Sequence, residues 1–205
     1  MSIYDYLVTV HAAAGIGGAV GALAPIATPK GRTFHKFAGR IVLSCMGITS
    51  LTGFAISSIW LLEPSVYGPL WLAVLLCGLA TMVGTATWRG WRAVRLHGAR
   101  YWSDRIVIVL ALMIQAGVTI GGWLLSNWIV MALGLLMMAS LIREGWGWRP
   151  RNYIDEHIIG TVGAVVGALS GFFIIRSWLL MIPLLIVASI AVVLLYRRRF
   201  QNQGW

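Results

Sequence analysis

Long runs of uncharged or nearly uncharged residues dominate the chain, at 7–27, 41–62, 66–88, 106–142, 158–175 and 177–196. Most match the roughly 20 residues, at about 1.5 Å of rise each, that an α-helix needs to cross a hydrocarbon core of about 30 Å. The run at 106–142 holds 37 residues, too many for one crossing. Within it Ser126-Asn127, flanked by Trp123 and Trp128, marks a tight turn at an interface. The pattern therefore predicts an all-α, polytopic membrane helix bundle in one domain. Its seven transmembrane helices are expected at about 5–27, 36–62, 67–90, 104–125, 128–143, 156–175 and 178–197.

The fifth of these is short, and the positions of Lys and Arg bear on it, because they favour the cytoplasmic side. With seven crossings, Lys30, Arg32, Lys36 and Arg40 fall in the first loop, five arginines from Arg89 to Arg105 in the third, and Arg143, Arg149 and Arg151 in the fifth. The triple arginine at 197–199 follows the last helix, so that 15 of 16 basic residues share one side and only Arg176 lies opposite. If the short segment failed to cross, the triple arginine would be translocated. The expected topology has the N-terminus outside and the C-terminus in the cytoplasm. Tryptophans agree, since Trp60, Trp71, Trp123, Trp128 and Trp178 fall near outer boundaries and Trp88, Trp91, Trp102, Trp146 and Trp148 near inner ones.

Composition leads to the same class. Hydrophobic residues make up 59% and charged residues 11%, whereas a soluble domain is nearer half apolar and a quarter charged. The net charge of +10 sits in short clusters between apolar runs, which fits cytoplasmic anchors on anionic lipid headgroups and argues against nucleic acid as a partner. Cys45 and Cys77 both lie within apolar runs and read as buried free thiols. The start Met1-Ser2-Ile3-Tyr4-Asp5 has no positively charged region, so the first apolar segment is expected to be a retained helix.

Candidate chemistry centres on histidines. His11, Gly15, Gly18 and Ala22 share one helical face, as do His35, Gly39, Met46, Thr49 and Gly53, and again His157, Thr161, Ala164, Ala168 and Gly171. Small stripes let membrane helices approach closely, so Gly15, Gly18, Gly39, Gly53, Gly163, Gly167 and Gly171 are expected at helix contacts, with the histidines turned into the bundle. The first, second and sixth helices are then expected to form its tight centre, with bulk tolerated less at Gly167 than at Gly134. Gln115 and Thr119 share a face of the fourth helix with Asp104 three turns earlier, a candidate polar lane. Asp155 and Glu156 suit the positive end of the sixth helix, and together with His35 and His157 they are the candidate metal ligands. His97 lies in a basic loop whose plainest role is headgroup contact.

No Cys-x-x-Cys, His-Glu-x-x-His, Gly-x-Ser-x-Gly or phosphate-binding glycine loop is present, which removes support for hydrolase and nucleotide-driven activities. The segment Lys30-Gly31-Arg32-Thr33-Phe34-His35-Lys36-Phe37-Ala38-Gly39-Arg40-Ile41-Val42 resembles the His-x-x-x-Gly-Arg signature of a bacterial group of membrane proteins, the domain of unknown function numbered 2306. His11 in a glycine-rich first helix and the stretch from Glu156-His157 to Ala164 are similar to that group as well. The stretch Arg100-Tyr101-Trp102-Ser103-Asp104-Arg105 departs from the group's His-Arg-x-Trp-Met-x-Arg region. The resemblance implies a fold and histidine positions, not a reaction.

Three functions are open on this reading. The first is a non-enzymatic component of the cell inner membrane, with a membrane-protein partner or a second copy of itself. The second is a histidine-centred redox or cofactor-binding protein, with His35 and His157 at similar depth for a haem or a metal ion, although no cofactor is favoured. The third is a small-solute or proton pathway lined by His11, Gln115, Thr119 and the cytoplasmic histidines.

Overall fold

The computed structural model describes residues 2–29, 32–96, 102–145 and 153–175. The expected helix at 178–197 lies outside these residues, as do His97, Trp146, Trp148, Arg149, Arg151 and Arg176. All regular structure among the described residues is helical, in the order α1 (Ile3–Gly21), α2 (Leu23–Ala27), α3 (Thr33–Leu62), α4 (Pro64–Tyr67), α5 (Leu70–Arg95), α6 (Trp102–Leu124), α7 (Trp128–Gly145) and α8 (Tyr153–Ile175).

Local chemistry sets the helix ends. Ser2 opens α1 with a capping box: its hydroxyl accepts from the Asp5 amide at 3.1 Å, and its own amide donates to the Asp5 carboxylate at 2.8 Å. The single helix expected over 5–27 is broken at Ala22, where α1 ends and α2 begins. The cause is Pro25, which has no N–H for the Gly21 carbonyl four residues earlier. One-turn α4 starts at Pro64 and ends on Gly68, whose φ of 147° is backbone that side chains rarely adopt. Between α6 and α7 the turn falls at Ser126-Asn127. Ser126 takes a φ of 51°, the Asn127 amide donates to the Gly122 carbonyl at 2.8 Å, and the Asn127 side chain caps α7 by accepting from the Val130 amide at 3.2 Å.

Among the described helices the centre is α5, not the trio of first, second and sixth helices that the small stripes suggest. It packs extensively on α8, α3 and α6, while α8 meets α1 and α3 only marginally. Its buried residues recur on every turn, from Ala73 and Leu75 through Gly78, Val83 and Thr87 to Gly90 and Ala93. Two apolar cores result among the described residues. Ala22, Val42, Met46, Val83 and Ala164 join α1, α3, α5 and α8, and Leu75, Leu79, Val118 and Val130 join α5, α6 and α7.

The exterior is apolar at mid-helix positions, with Leu51 74% exposed and Met113 66% exposed. Residues 3–27, α3, α5 and α6 are each long and apolar enough to cross a membrane, and Trp128–Arg143 is a shorter apolar helix. An outer surface of this kind suits hydrocarbon as solvent far better than water.

Candidate functional site

Each candidate histidine has its Nδ1 on a neighbouring segment. His11 on α1 meets the Thr52 hydroxyl of α3 at 3.0 Å. That hydroxyl gives its proton to the Ile48 carbonyl at 2.7 Å, so the shared proton belongs to His11 Nδ1. The ring also fills the space that a side chain at Gly53 would take, since a Cβ there would stand 3.1 Å from His11 Cε1.

His35, in the first turn of α3, donates from Nδ1 to the Pro25 carbonyl at 3.0 Å. The residue four positions after Pro25 is Pro29, which has no N–H, so continuing the helix could not satisfy this carbonyl. The imidazole does so instead.

His157 donates from Nδ1 to the Gly90 carbonyl of α5 at 2.8 Å. It sits one turn from a close backbone approach, where a Cβ at Gly160 would stand 2.6 Å from the Gly90 nitrogen and 2.7 Å from the Ala86 carbonyl oxygen. Nearby, the Thr161 hydroxyl is buried without a hydrogen-bond partner among the described residues. His35 and His157 each stand seven residues, about 10 Å of helix, before the core residues Val42 and Ala164 of the same cluster, and so share a level.

Gln115 is fully buried on α6, and its Nε2 donates to the Gly78 carbonyl of α5 at 2.8 Å. Its Oε1 has no partner among the described residues. Thr119 bonds back to the Gln115 carbonyl at 2.9 Å and reaches Met138 Sδ on α7 at 3.6 Å. The two side chains thus turn to different neighbours. Asp104 joins neither: its carboxylate accepts from Trp88 Nε1 at 3.1 Å and pairs with Arg92 at 3.0 Å, both on α5. The Arg92 guanidinium also lies over the Trp88 ring, 5.3 Å from its centroid. Sequence reasoning assigned Asp104 to the lane and missed this cluster. The available signal was that Asp104 is the one acidic residue between Glu63 and Glu144, in a stretch with several arginines.

The glycines divide. Gly18 lies against Met46 and Cys45, Gly167 would bring a Cβ to 2.9 Å from Val83 Cγ2, and Gly15 and Gly163 are in ordinary contact with Thr49 and Ala86. At Gly39 and Gly171 a Cβ would meet nothing within 4 Å among the described residues. Four approaches to a neighbour's backbone among the described residues, at Gly90, Gly122, Gly134 and Gly160, lie off the predicted stripes.

Asp155 and Glu156 occupy the first turn of α8. Among the described residues no group of three or more His, Cys, Asp or Glu side chains is placed to hold a metal ion, and both cysteines are free. Comparison with family models, with curated proteins and with solved structures finds no match.

Proposed function

We propose that the chain is a multi-pass, non-enzymatic component of the bacterial inner membrane whose intramembrane polar side chains hold helices in register. The observation that carries this reading is that His11, His35 and His157 each direct Nδ1 to a partner on another helical segment. Gln115 does the same with its amide. These bonds are dispersed over four helix contacts, whereas a catalytic constellation converges on one point. Kinship with the group of domain of unknown function 2306 is part of the proposal and rests on His11, on His35, Gly39 and Arg40, and on the stretch from Glu156-His157 to Ala164.

The proposed topology has seven crossings, an outside N-terminus and a cytoplasmic C-terminus, supported by the segregation of 15 of 16 basic residues. Reporter fusions after Glu63 and Asn127 read outside, and fusions after Gly98 and Trp205 read inside. A cytoplasmic signal at Asn127 overturns the assignment.

A histidine-centred site is the second reading, supported by the common level of His35 and His157. An Nδ1–H held by a carbonyl is also the tautomer a ligating histidine uses. The optical spectrum and metal content of protein purified from native membrane separate the two readings. On the first, no Soret band and no stoichiometric metal are found; a band lost in His157→Ala establishes the second.

A further inference from the structure

We propose that the cleft between α3 and α5 binds one anionic phospholipid, its phosphate on Arg40 and one acyl chain laid past Gly47 and Gly84 toward Leu51. The inference rests on the membrane setting alone. It is independent of which side is cytoplasmic and of what the histidines do.

The cleft has a volume of about 460 Å³, within the range of small-ligand sites. Its chemistry changes along its length. At one end Arg40 is exposed and makes no hydrogen bond or ion pair among the described residues. The Asp104 carboxylate on the neighbouring helix is committed to Arg92 and Trp88, so it does not serve as the counter-ion of Arg40. Trp88 and Trp91 form the α5 wall at that end, as amphipathic rings do at headgroup level.

Deeper in, the lining is small. Gly84 leaves room for the Ser50 side chain, whose hydroxyl donates to the Ala80 carbonyl at 2.8 Å, and the Thr87 hydroxyl donates to the Val83 carbonyl at 2.7 Å. These hydroxyls are satisfied by the protein, which leaves a surface that hydrocarbon can cover without stranding their protons.

The length of the cleft selects its occupant. Arg40 and Leu51 are eleven residues apart on α3, about 16 Å of helix. That is half of a hydrocarbon core of roughly 30 Å, the depth of a single leaflet. A transmembrane helix of a partner would seek a groove running the full thickness; an acyl chain below a phosphate needs only this much. A basic side chain at the headgroup level then adds a preference for negative charge.

Gly47 supplies the test, because it lines the cleft and a Cβ there meets nothing within 4 Å. Gly47→Leu therefore fills the site while leaving helix contacts alone. Full-length protein in detergent is titrated with phosphatidylglycerol, with phosphatidylcholine and with phosphatidylglycerol plus inorganic phosphate, and retained lipid is counted by native mass spectrometry. One phosphatidylglycerol is retained over phosphatidylcholine, inorganic phosphate does not displace it, Arg40→Gln lowers the preference about fivefold, and Gly47→Leu abolishes retention without shifting the thermal transition. Should Gly47→Leu lower that transition, Ser44→Phe, which blocks the same cleft from an exposed position, decides by the same loss. Equal retention of the two lipids by the unaltered protein, displacement by inorganic phosphate, or unchanged retention in the blocked variant overturns the proposal. So does a dimer that dissociates on Gly47→Leu, since the occupant is then a second copy.

Discussion

The crossing of α5 with α8 and the hairpin of α6 with α7 solve one packing problem in two ways. Both bring backbone against backbone through glycine: Gly160 against Gly90 in the first, Gly122 against Met131 and Gly134 against Thr119 in the second. They differ in what fixes the register. The hairpin is closed by a three-residue turn, Leu125 to Asn127, so its two glycine contacts are set by chain connectivity at small entropic cost. Gly90 and Gly160 are far apart in sequence, and smooth glycine faces can slide past each other with little change in van der Waals energy. That crossing carries the bond from His157 Nδ1 to the Gly90 carbonyl at 2.8 Å. Polar side chains thus do for distant helices what a short turn does for adjacent ones.

The comparison is broken at the crossing by Gly160→Ala. The added methyl would stand 2.6 Å from the Gly90 nitrogen and 2.8 Å from its Cα, and backbone cannot move aside as a side chain can. We expect destabilisation of about 3 kcal/mol, at the upper end of overpacking penalties, with the two helices forced apart. Reversible unfolding in mixed micelles measures it, and a loss under about 1 kcal/mol would mean that the crossing is looser than its geometry.

Bulk in the hairpin has the next largest effect. A Cβ at Gly134 would meet Thr119 Oγ1 at 2.5 Å and the Thr119 backbone at 3.0 and 3.2 Å, whereas a Cβ at Gly167 meets one methyl of Val83 at 2.9 Å. This reverses the order expected from the stripes. Gly134→Leu should cost about 2 kcal/mol and Gly167→Leu about 1 kcal/mol, because Val83 can rotate and Thr119 backbone cannot. Thermal melts of the two variants side by side check the order.

The reversal marks the limit of what was legible in the sequence. Hydrophobic runs make the all-helical character and the four long apolar helices readable, because crossing hydrocarbon requires uninterrupted apolar length whatever the neighbours are. A stripe shows that a helix has a small face, not which helix it meets. Gly39 belongs to a stripe and has nothing within 4 Å of a Cβ among the described residues, while Gly90, between Arg89 and Trp91 in a basic aromatic stretch, lies against the backbone of Gly160 and Thr161. The break at Pro25 was missed, because the apolar run continues through it, although the missing N–H of Pro25 and Pro29 carried the signal. Asp104 misled because helical phase aligns it with Gln115, while its charge takes it to Arg92. Phase is local; charge pairing depends on which helix packs alongside.

The smallest expected effect is at Gln115, and it sharpens the contrast between polar clamps. Gln115 ties α6 to α5 as His157 ties α8 to α5, yet only half of its amide is used. The bond from Nε2 to the Gly78 carbonyl is of a kind that contributes about 0.6 kcal/mol between membrane helices. The Oε1, buried and without a partner among the described residues, costs on the order of 1 kcal/mol in the opposite sense. Gly78 already makes room for the side chain, since a Cβ there would stand 3.0 Å from Oε1, so an unbranched replacement of similar length keeps the fit. Gln115→Met removes the bond and the orphaned oxygen together, and the two terms nearly cancel. We expect a stability within about 0.5 kcal/mol of the unaltered protein. Gln115→Ala, which leaves a cavity as well, should cost about 2 kcal/mol. Equilibrium unfolding of both variants separates packing from bonding. If Gln115→Met destabilised as much as Gln115→Ala, the Oε1 would have to hold a partner worth keeping, such as a buried water, and the amide would rank with His157 as a fully used clamp.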